Sequence, residues 1–478
     1  MTKSVRRTIN VELLNRLRDV LGGRRVSHSH LDLLNYARDL WPRSLIDVSR
    51  GELHHLPDLI VWPETTEEVS RVLRVCNEMR VPVVPFGGGS GLTGGAQPMC
   101  GGVVLDTKRM NRLERLSEQS MLAVCQTGIL GAKLEAELNR KGFTMGHFPG
   151  SLGTSTLGGY LATRSAGQAA TLYGKIEDIV VSLQAVLADG TVMHTRTAPR
   201  RATGPDFNQL FIGSEGTLGV ITRAHMRIHL LPETRAFRGL VFKKLSSGLE
   251  ALRLLMRAGV RPAFVRLSDE EDTAYTMNAL GLEVKGCLLV LVFQGRQTLV
   301  ELENEMAINI CRQAGGRDHG DEPAQHWFSH RYAEYYRQSP IFADEGMIID
   351  TVEVATTWSN LEKLYKTVRT ALAKHVTVLA NFAHAYPEGC SIVFTMLAKP
   401  EPDDGYKLYD KAWDAALNAT LKAGGVISHA HGIGLLKNKW LQKQNPAAFA
   451  LWRGMKKRLD PNDILNPGKI VLDGEAAC

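Results

Sequence analysis

Pro85-Phe-Gly-Gly-Gly-Ser-Gly-Leu-Thr-Gly-Gly95 is the stretch on which the reading of this chain turns. Six of the nine residues from Gly87 to Gly95 are glycine, where 45 glycines in 478 residues predict fewer than one. With no side chains to block the approach, consecutive backbone N–H groups can converge on an anion. Gly89, Gly91 and Gly94 also form a formal GxGxxG. A Rossmann turn built on that motif must open a helix. Pro98 and Gly101-Gly102 follow almost at once and give a helix no good start. Val81-Pro-Val-Val-Pro85 and Val103-Val-Leu105 on either side are strand-like. The anion is therefore expected in a loop strung between two strands.

Two further small-residue segments lie downstream. One is His147-Phe-Pro-Gly-Ser-Leu-Gly-Thr-Ser-Thr-Leu-Gly-Gly-Tyr-Leu-Ala-Thr163; the other is Gly213-Ser-Glu-Gly-Thr-Leu-Gly-Val-Ile-Thr222. Bland turns explain any one such loop but not three in the first half of the chain. Together they suit an extended ligand such as a dinucleotide.

The length suggests two or three domains. The net charge of +7 is dispersed in short clusters such as Arg200-Arg201 and Lys456-Lys-Arg458, with no interleaved aromatics, so no nucleic-acid partner is expected. An anionic small molecule uses that excess better. Seven cysteines, none within CxxC distance of another, exclude a zinc knuckle or an iron–sulfur cluster built by this chain alone. Scattered thiols fit a reducing cytoplasm. Cys287-Leu-Leu-Val-Leu-Val-Phe293 is too short to span a bilayer, and the basic N-terminus lacks the apolar run of a secretory signal.

Leu13, Leu14, Leu17 and Leu21 predict one apolar helical face near the start. That face suits a peripheral contact at the inner membrane surface or packing on the rest of the chain. Beyond Leu230-Leu-Pro-Glu233 the glycine density falls and strand–helix–strand units recur, among them strand 347–354, helix 358–373 and strand 392–396. These predict an α+β domain of antiparallel sheet with helices on one face.

The stretch Pro57-Asp-Leu-Ile-Val-Trp-Pro-Glu-Thr-Thr-Glu-Glu-Val69, the three glycine segments and the ending Asp460-Pro-Asn-Asp-Ile-Leu-Asn-Pro-Gly-Lys469 together resemble the vanillyl-alcohol oxidase superfamily of FAD-binding proteins. The resemblance implies an α+β fold: a helical segment (1–54), a two-subdomain FAD-binding domain (55–235), a cap (236–427) and a C-terminal return to the flavin (428–478). It assigns the cofactor to Pro85, Gly87, Gly88, Gly89, Ser90, Gly91, Leu92 and Thr93 of the first loop. Pro149, Gly150, Ser151, Thr154, Thr156, Leu157, Gly158, Gly159 and Thr163 follow from the second, and Glu215, Gly216, Gly219 and Ile221 from the third. Covalent members carry a histidine in or near the first loop; Ser90 and the absence of one here imply non-covalent FAD.

Two branches share these motifs: FAD-linked D-2-hydroxyacid dehydrogenases, and alkyldihydroxyacetonephosphate synthases, the flavoenzymes of ether-lipid synthesis. Gly174-Lys-Ile-Glu-Asp178, Pro262-Ala-Phe-Val-Arg-Leu-Ser-Asp269, Trp327-x3-Arg331-x3-Tyr335-x-Arg337 and Asp350-Thr-Val-Glu-Val-Ala-Thr-Thr-Trp358 resemble the synthases. The implied reaction exchanges an acyl for an alkyl group on a ketone phosphate through a flavin N5 adduct. The alternative is oxidation of a D-lactate- or glycolate-like acid, with an arginine on the carboxylate and His431 taking the hydroxyl proton. Metal-using dehydrogenases resemble one another in a His-x6-His pair and a Glu-His-Gly. Here Ser391 follows His384 at that spacing, and Ala430 precedes His431. Two histidines are too few for a catalytic metal, so none is expected. The synthase pattern has three consecutive histidines where this chain has His429-Ala430-His431, and a tyrosine where it has Val393. His429, His431, Tyr386 and Arg337 are the catalytic candidates; Arg266, Arg331, Arg337 and His384 are the substrate-binding ones. A homodimer is left open.

Overall fold

The computed structural model describes residues 10–278, 283–333, 346–401 and 404–470. Its first core forms where helical periodicity meets short strands. In the helix Thr66–Glu78, Val69, Val72, Leu73 and Cys76 face inward, and the Thr65 hydroxyl caps the start by accepting the Glu68 N–H. They pack with strands Leu59–Val61, Val83–Phe86 and Val103–Asp106 and with the four leucines of the helix Val11–Leu21. The leucine face that could have met a membrane is thus buried inside the protein.

Val103–Asp106 lies between Leu59–Val61 and Val83–Phe86 and runs parallel to both. A parallel pair needs a crossover, ordinarily a helix. Residues 87–102 contain no helix, so the glycine loop itself makes the crossing, as expected, and the Rossmann reading falls. A five-stranded antiparallel sheet forms the second subdomain, in the order Leu113–Ser117, Leu122–Gln126, Val220–Arg227, Val180–Val186, Val192–His194. The helix Leu157–Thr163, capped by the Thr156 hydroxyl, buries Leu157 and Leu161 in its core.

The cap is a seven-stranded antiparallel sheet. Its order is Arg317–Asp318, Thr234–Phe242, Cys287–Gly295, Phe264–Ser268, Thr377–Phe382, Gly389–Ala398, Ile348–Thr357. One face carries helices Leu245–Arg257, Gln297–Gln313, Trp358–Leu372 and Gly405–Ala423. The other, with Val241, Phe264, Val290 and Val292, packs on Phe148, Ala169 and Leu172 and so sets the cap over the glycine-rich half.

The helix Gly405–Ala423 is not among the elements expected. Its Tyr409 hydroxyl and Trp413 indole donate to the buried Asp350 carboxylate at 2.6 and 3.1 Å. Residues 10–54 also meet the cap, where Trp41 and Ile46 join its core and the Trp41 indole donates to Tyr409 Oη at 2.8 Å. At the far end, the Val83 N–H donates to the Ile464 carbonyl (2.6 Å) and the Asn466 N–H to that of Val83 (2.8 Å). The C-terminal return therefore seats on the strand that enters the glycine loop. No helix among the described residues is long and apolar enough to cross a membrane.

Candidate active site

Between the glycine segments lies a cleft of about 1400 Å³, counting its open mouth. Pro85, Gly87 to Gly89, Ser90, Gly91, Leu92 and Thr93 line it, with Pro149, Gly150, Ser151, Thr156, Gly158, Gly159, Thr163, Glu215, Gly216, Gly219 and Ile221. Thr154 and Leu157 do not. The Thr154 carbonyl backs Gly88, and Leu157 is fully buried in the core of the second subdomain. Phe86, Ser155, Tyr160, Ser165 and Val220 also line the cleft, inside or beside segments already singled out. Asp39 does so from far upstream, where nothing in the sequence marks it.

Two glycines show why this residue type is needed. A Cβ on Gly88 would sit 1.8 Å from the Thr154 carbonyl oxygen, inside any permitted contact. Gly89 has φ +62°, and a Cβ there would strike the Phe86 ring at 2.5 Å. The Gly88, Gly89 and Gly91 amides donate to no atom among the described residues, as a phosphate-cradling loop requires.

Glu215 closes the cleft from the third segment. Its carboxylate accepts the Ile433 and Gly434 N–H groups at 2.5 and 2.9 Å and so holds His431 at the cleft wall. The Asn466 amide spans two glycine segments, donating to the Glu215 carbonyl (2.7 Å) and the Gly95 carbonyl (2.9 Å).

Beyond His431 the cap contributes a carboxylate that sequence reading missed. Glu353 accepts from His429 Nδ1 at 2.7 Å, and His429 Nε2 lies 3.0 Å from Tyr386 Oη. Its oxygens are also 3.6 Å from His384 Nε2 and 3.8 Å from His431 Nε2. Burial favours the neutral acid, but the surrounding imidazoles outweigh it and hold Glu353 well below the usual carboxylate range. Burial pushes His384 down to about 3, so its ring is neutral, and its Nδ1 has no hydrogen-bond partner among the described residues. Burial, reinforced by Glu353, raises the Tyr386 phenol above its ordinary range. Glu353, His384 and His429 offer three donor atoms within 4.8 Å of one another. The count of two histidines that argued against a metal therefore omitted a carboxylate. The one sequence signal for Glu353 is its place in Asp350-Thr-Val-Glu-Val-Ala.

Two of the three candidate arginines lie among the described residues. Arg266 pairs with the buried Asp272 at 2.9 Å. Arg331 stacks 3.8 Å over the Phe328 ring and donates to the Phe328 carbonyl. Neither lines the cleft. Arg337 lies outside the described residues.

Residues 231–470 match the family of FAD linked oxidases, C-terminal domain, and residues 57–196 match an FAD binding domain. The chain belongs to the FAD-linked oxidases. It is 32% identical over 478 residues to the uncharacterized FAD-linked oxidoreductase YgcU of Escherichia coli K12, covering 96% of this chain and 98% of that one. It is 30% identical over 463 residues to an alkyldihydroxyacetonephosphate synthase of Dictyostelium discoideum, covering 90% and 76%. A solved alkyldihydroxyacetonephosphate synthase structure superimposes with a TM-score of 0.83 at 26% identity, covering 98% of this chain and 86% of that chain. In this FAD-linked oxidase the glycine cradle and its undirected amides fit the FAD pyrophosphate, and the His431 end of the cleft meets the cap. Bound there, FAD supplies an electron-accepting, electrophilic ring that the side chains lack.

Proposed function

We propose that this FAD-linked oxidase catalyses acyl-to-alkyl exchange on a ketone phosphate, the reaction class of the alkyldihydroxyacetonephosphate synthases it resembles. The observation that carries the reading is the likeness to a solved synthase over 98% of the chain, cap included. His431 lines the cleft, and Tyr386 and His429 supply a hydrogen-bonded acid–base pair joined to it through Glu353. Arg337, in the Tyr335-Tyr336-Arg337 run, is a candidate for the substrate phosphate.

The replacement of the synthase tyrosine by Val393 and of the middle histidine by Ala430 favours a second reading. In it, a D-2-hydroxy acid is oxidised and His431 takes the hydroxyl proton. Anaerobic mixing with D-lactate, glycolate and D-2-hydroxyglutarate separates the two. Bleaching of the flavin by any of them overturns the synthase reading. An oxidised spectrum with all three, together with a spectral change on adding acyl-dihydroxyacetone phosphate, supports it.

We also propose that FAD is held without a covalent bond, because the covalent members that this chain resembles carry a histidine in or near the first loop, where Gly87 to Gly95 has none. Acid precipitation should leave the yellow colour in the supernatant; colour in the pellet overturns this.

A further inference from the structure

We propose that Glu353 is a positioning residue that makes Glu353–His429–Tyr386 a proton relay ending on the Tyr386 hydroxyl. The inference rests on the reading above that Tyr386 and His429 do acid–base work. Glu353 stands directly opposite Val393 in the pairing of Ile348–Thr357 with Gly389–Ala398. Opposed residues of an antiparallel pair share a face. The cap therefore presents a carboxylate beside the place where the synthase pattern has its tyrosine.

The hydrogen bonds fix the direction of the relay. With Glu353 accepting at 2.7 Å, the His429 proton is held on Nδ1, which leaves Nε2 as an acceptor for the Tyr386 O–H at 3.0 Å. Glu353 is 2% exposed, so its charge is shielded from solvent. Lys437 donates to Ser428 Oγ at 2.8 Å and Lys175 to the His429 carbonyl at 2.6 Å, and neither forms an ion pair with Glu353 among the described residues. A buried phenol keeps its proton near neutral pH and is alone a poor base. The relay removes that difficulty. As Tyr386 Oη takes a proton from a substrate O–H or C–H, its own proton passes to His429 Nε2. One bond to Oη breaks as another forms, and the substrate oxygen or carbon keeps its electron pair. The imidazolium that results faces the Glu353 carboxylate. No oxidant is consumed.

The same atoms could be read as metal ligands, but the spacing favours the relay. Two donors bound tetrahedrally to one zinc lie about 3.3 Å apart. The 2.7 Å between Glu353 Oε1 and His429 Nδ1 is a hydrogen bond, and both His429 nitrogens are already used.

The test uses FAD-loaded protein and compares wild type with Glu353→Gln, Glu353→Asp and His429→Gln. The wild type should show a strongly downfield imidazole N–H proton resonance that both Gln variants lose and Glu353→Asp retains. Glu353→Gln should keep its FAD absorption and lower kcat by roughly 10²-fold or more, the scale of acid–base catalysis, with Glu353→Asp recovering part of it. Absence of the resonance in the wild type overturns the relay whatever the substrate is. So does metal analysis finding about one equivalent of divalent cation that Glu353→Gln releases. Should the resonance behave as stated while neither substrate class turns over, the relay stands and the functional reading falls.

Discussion

The Glu215 carboxylate accepts the backbone N–H of Gly434 at 2.9 Å, across 219 residues of chain. A second bond, from the Ile433 N–H, makes this one acidic side chain the clasp between the third glycine segment and the C-terminal return. Burial pushes its carboxyl up to about 7, against the pull of those two N–H groups and of Lys437 and Lys469.

Glu215→Gln replaces one accepting oxygen with a donor and leaves a backbone N–H unaccepted. The expected cost is about 1–3 kcal/mol, with faster loss of FAD. Native protein holds the Glu215 proton more tightly than unfolded chain between the ordinary value of 4.5 and about 7. Its contribution is therefore full below that window and declines as pH rises through it, by roughly 3 kcal/mol at most. Melting curves at pH 5 and pH 8 check this: the difference between wild type and Glu215→Gln should shrink at the higher pH.

Lys469 gives the opposite slope. It is fully buried, donates to the Gln97 carbonyl, and burial pushes it down to about 7 from an ordinary 10.5. Unfolded chain then binds more protons between those values, so the lysine's contribution rises with pH across the window. Lys469→Met should abolish that rise. Denaturant midpoints at pH 7 and pH 9 should converge for the variant and diverge for the wild type.

Gly88→Ala places a methyl group on the Thr154 carbonyl and should displace the first loop. FAD affinity is expected to fall at least tenfold, about 1.4 kcal/mol. The readout is flavin fluorescence during titration of apoprotein. Wild-type affinity in the variant would show that Gly88 does not shape the cradle.

Arg266 and Arg337 should part company on mutation. Arg266→Ala strands the buried Asp272 carboxylate and is expected to destabilise the fold by about 3 kcal/mol. Arg337→Ala should raise KM about tenfold for a phosphate-bearing substrate, with FAD content unchanged. Steady-state kinetics, absorbance ratios and melting temperatures distinguish the two.

The three glycine segments were legible because backbone chemistry is local. A loop that must present amides to an anion cannot carry side chains, and that constraint is visible in a run such as Gly87-Gly88-Gly89 without knowing its neighbours. The same holds for period: Leu13, Leu14, Leu17 and Leu21 announce a helix by spacing alone, though not that its face would be covered by the helix Thr66–Glu78. Asp39 was invisible, since one aspartate in an unremarkable segment says nothing about the loop it will back. The Arg266–Asp272 pair was equally invisible, since it depends on how a strand and the helix after it meet.

Glycine composition, proline placement and motif spacing thus determined by themselves that this chain strings a glycine-rich loop between two strands, because each depends on the backbone of a few adjacent residues. Only the tertiary structure decided what stands at the cap end of the cleft. Glu353, His384, Tyr386, His429 and His431 come from three places in the chain. They meet because antiparallel pairing in the cap, and the Glu215 clasp on the C-terminal return, bring one buried carboxylate within reach of three imidazoles. Charge and protonation there depend on distance and burial, which residue order does not encode.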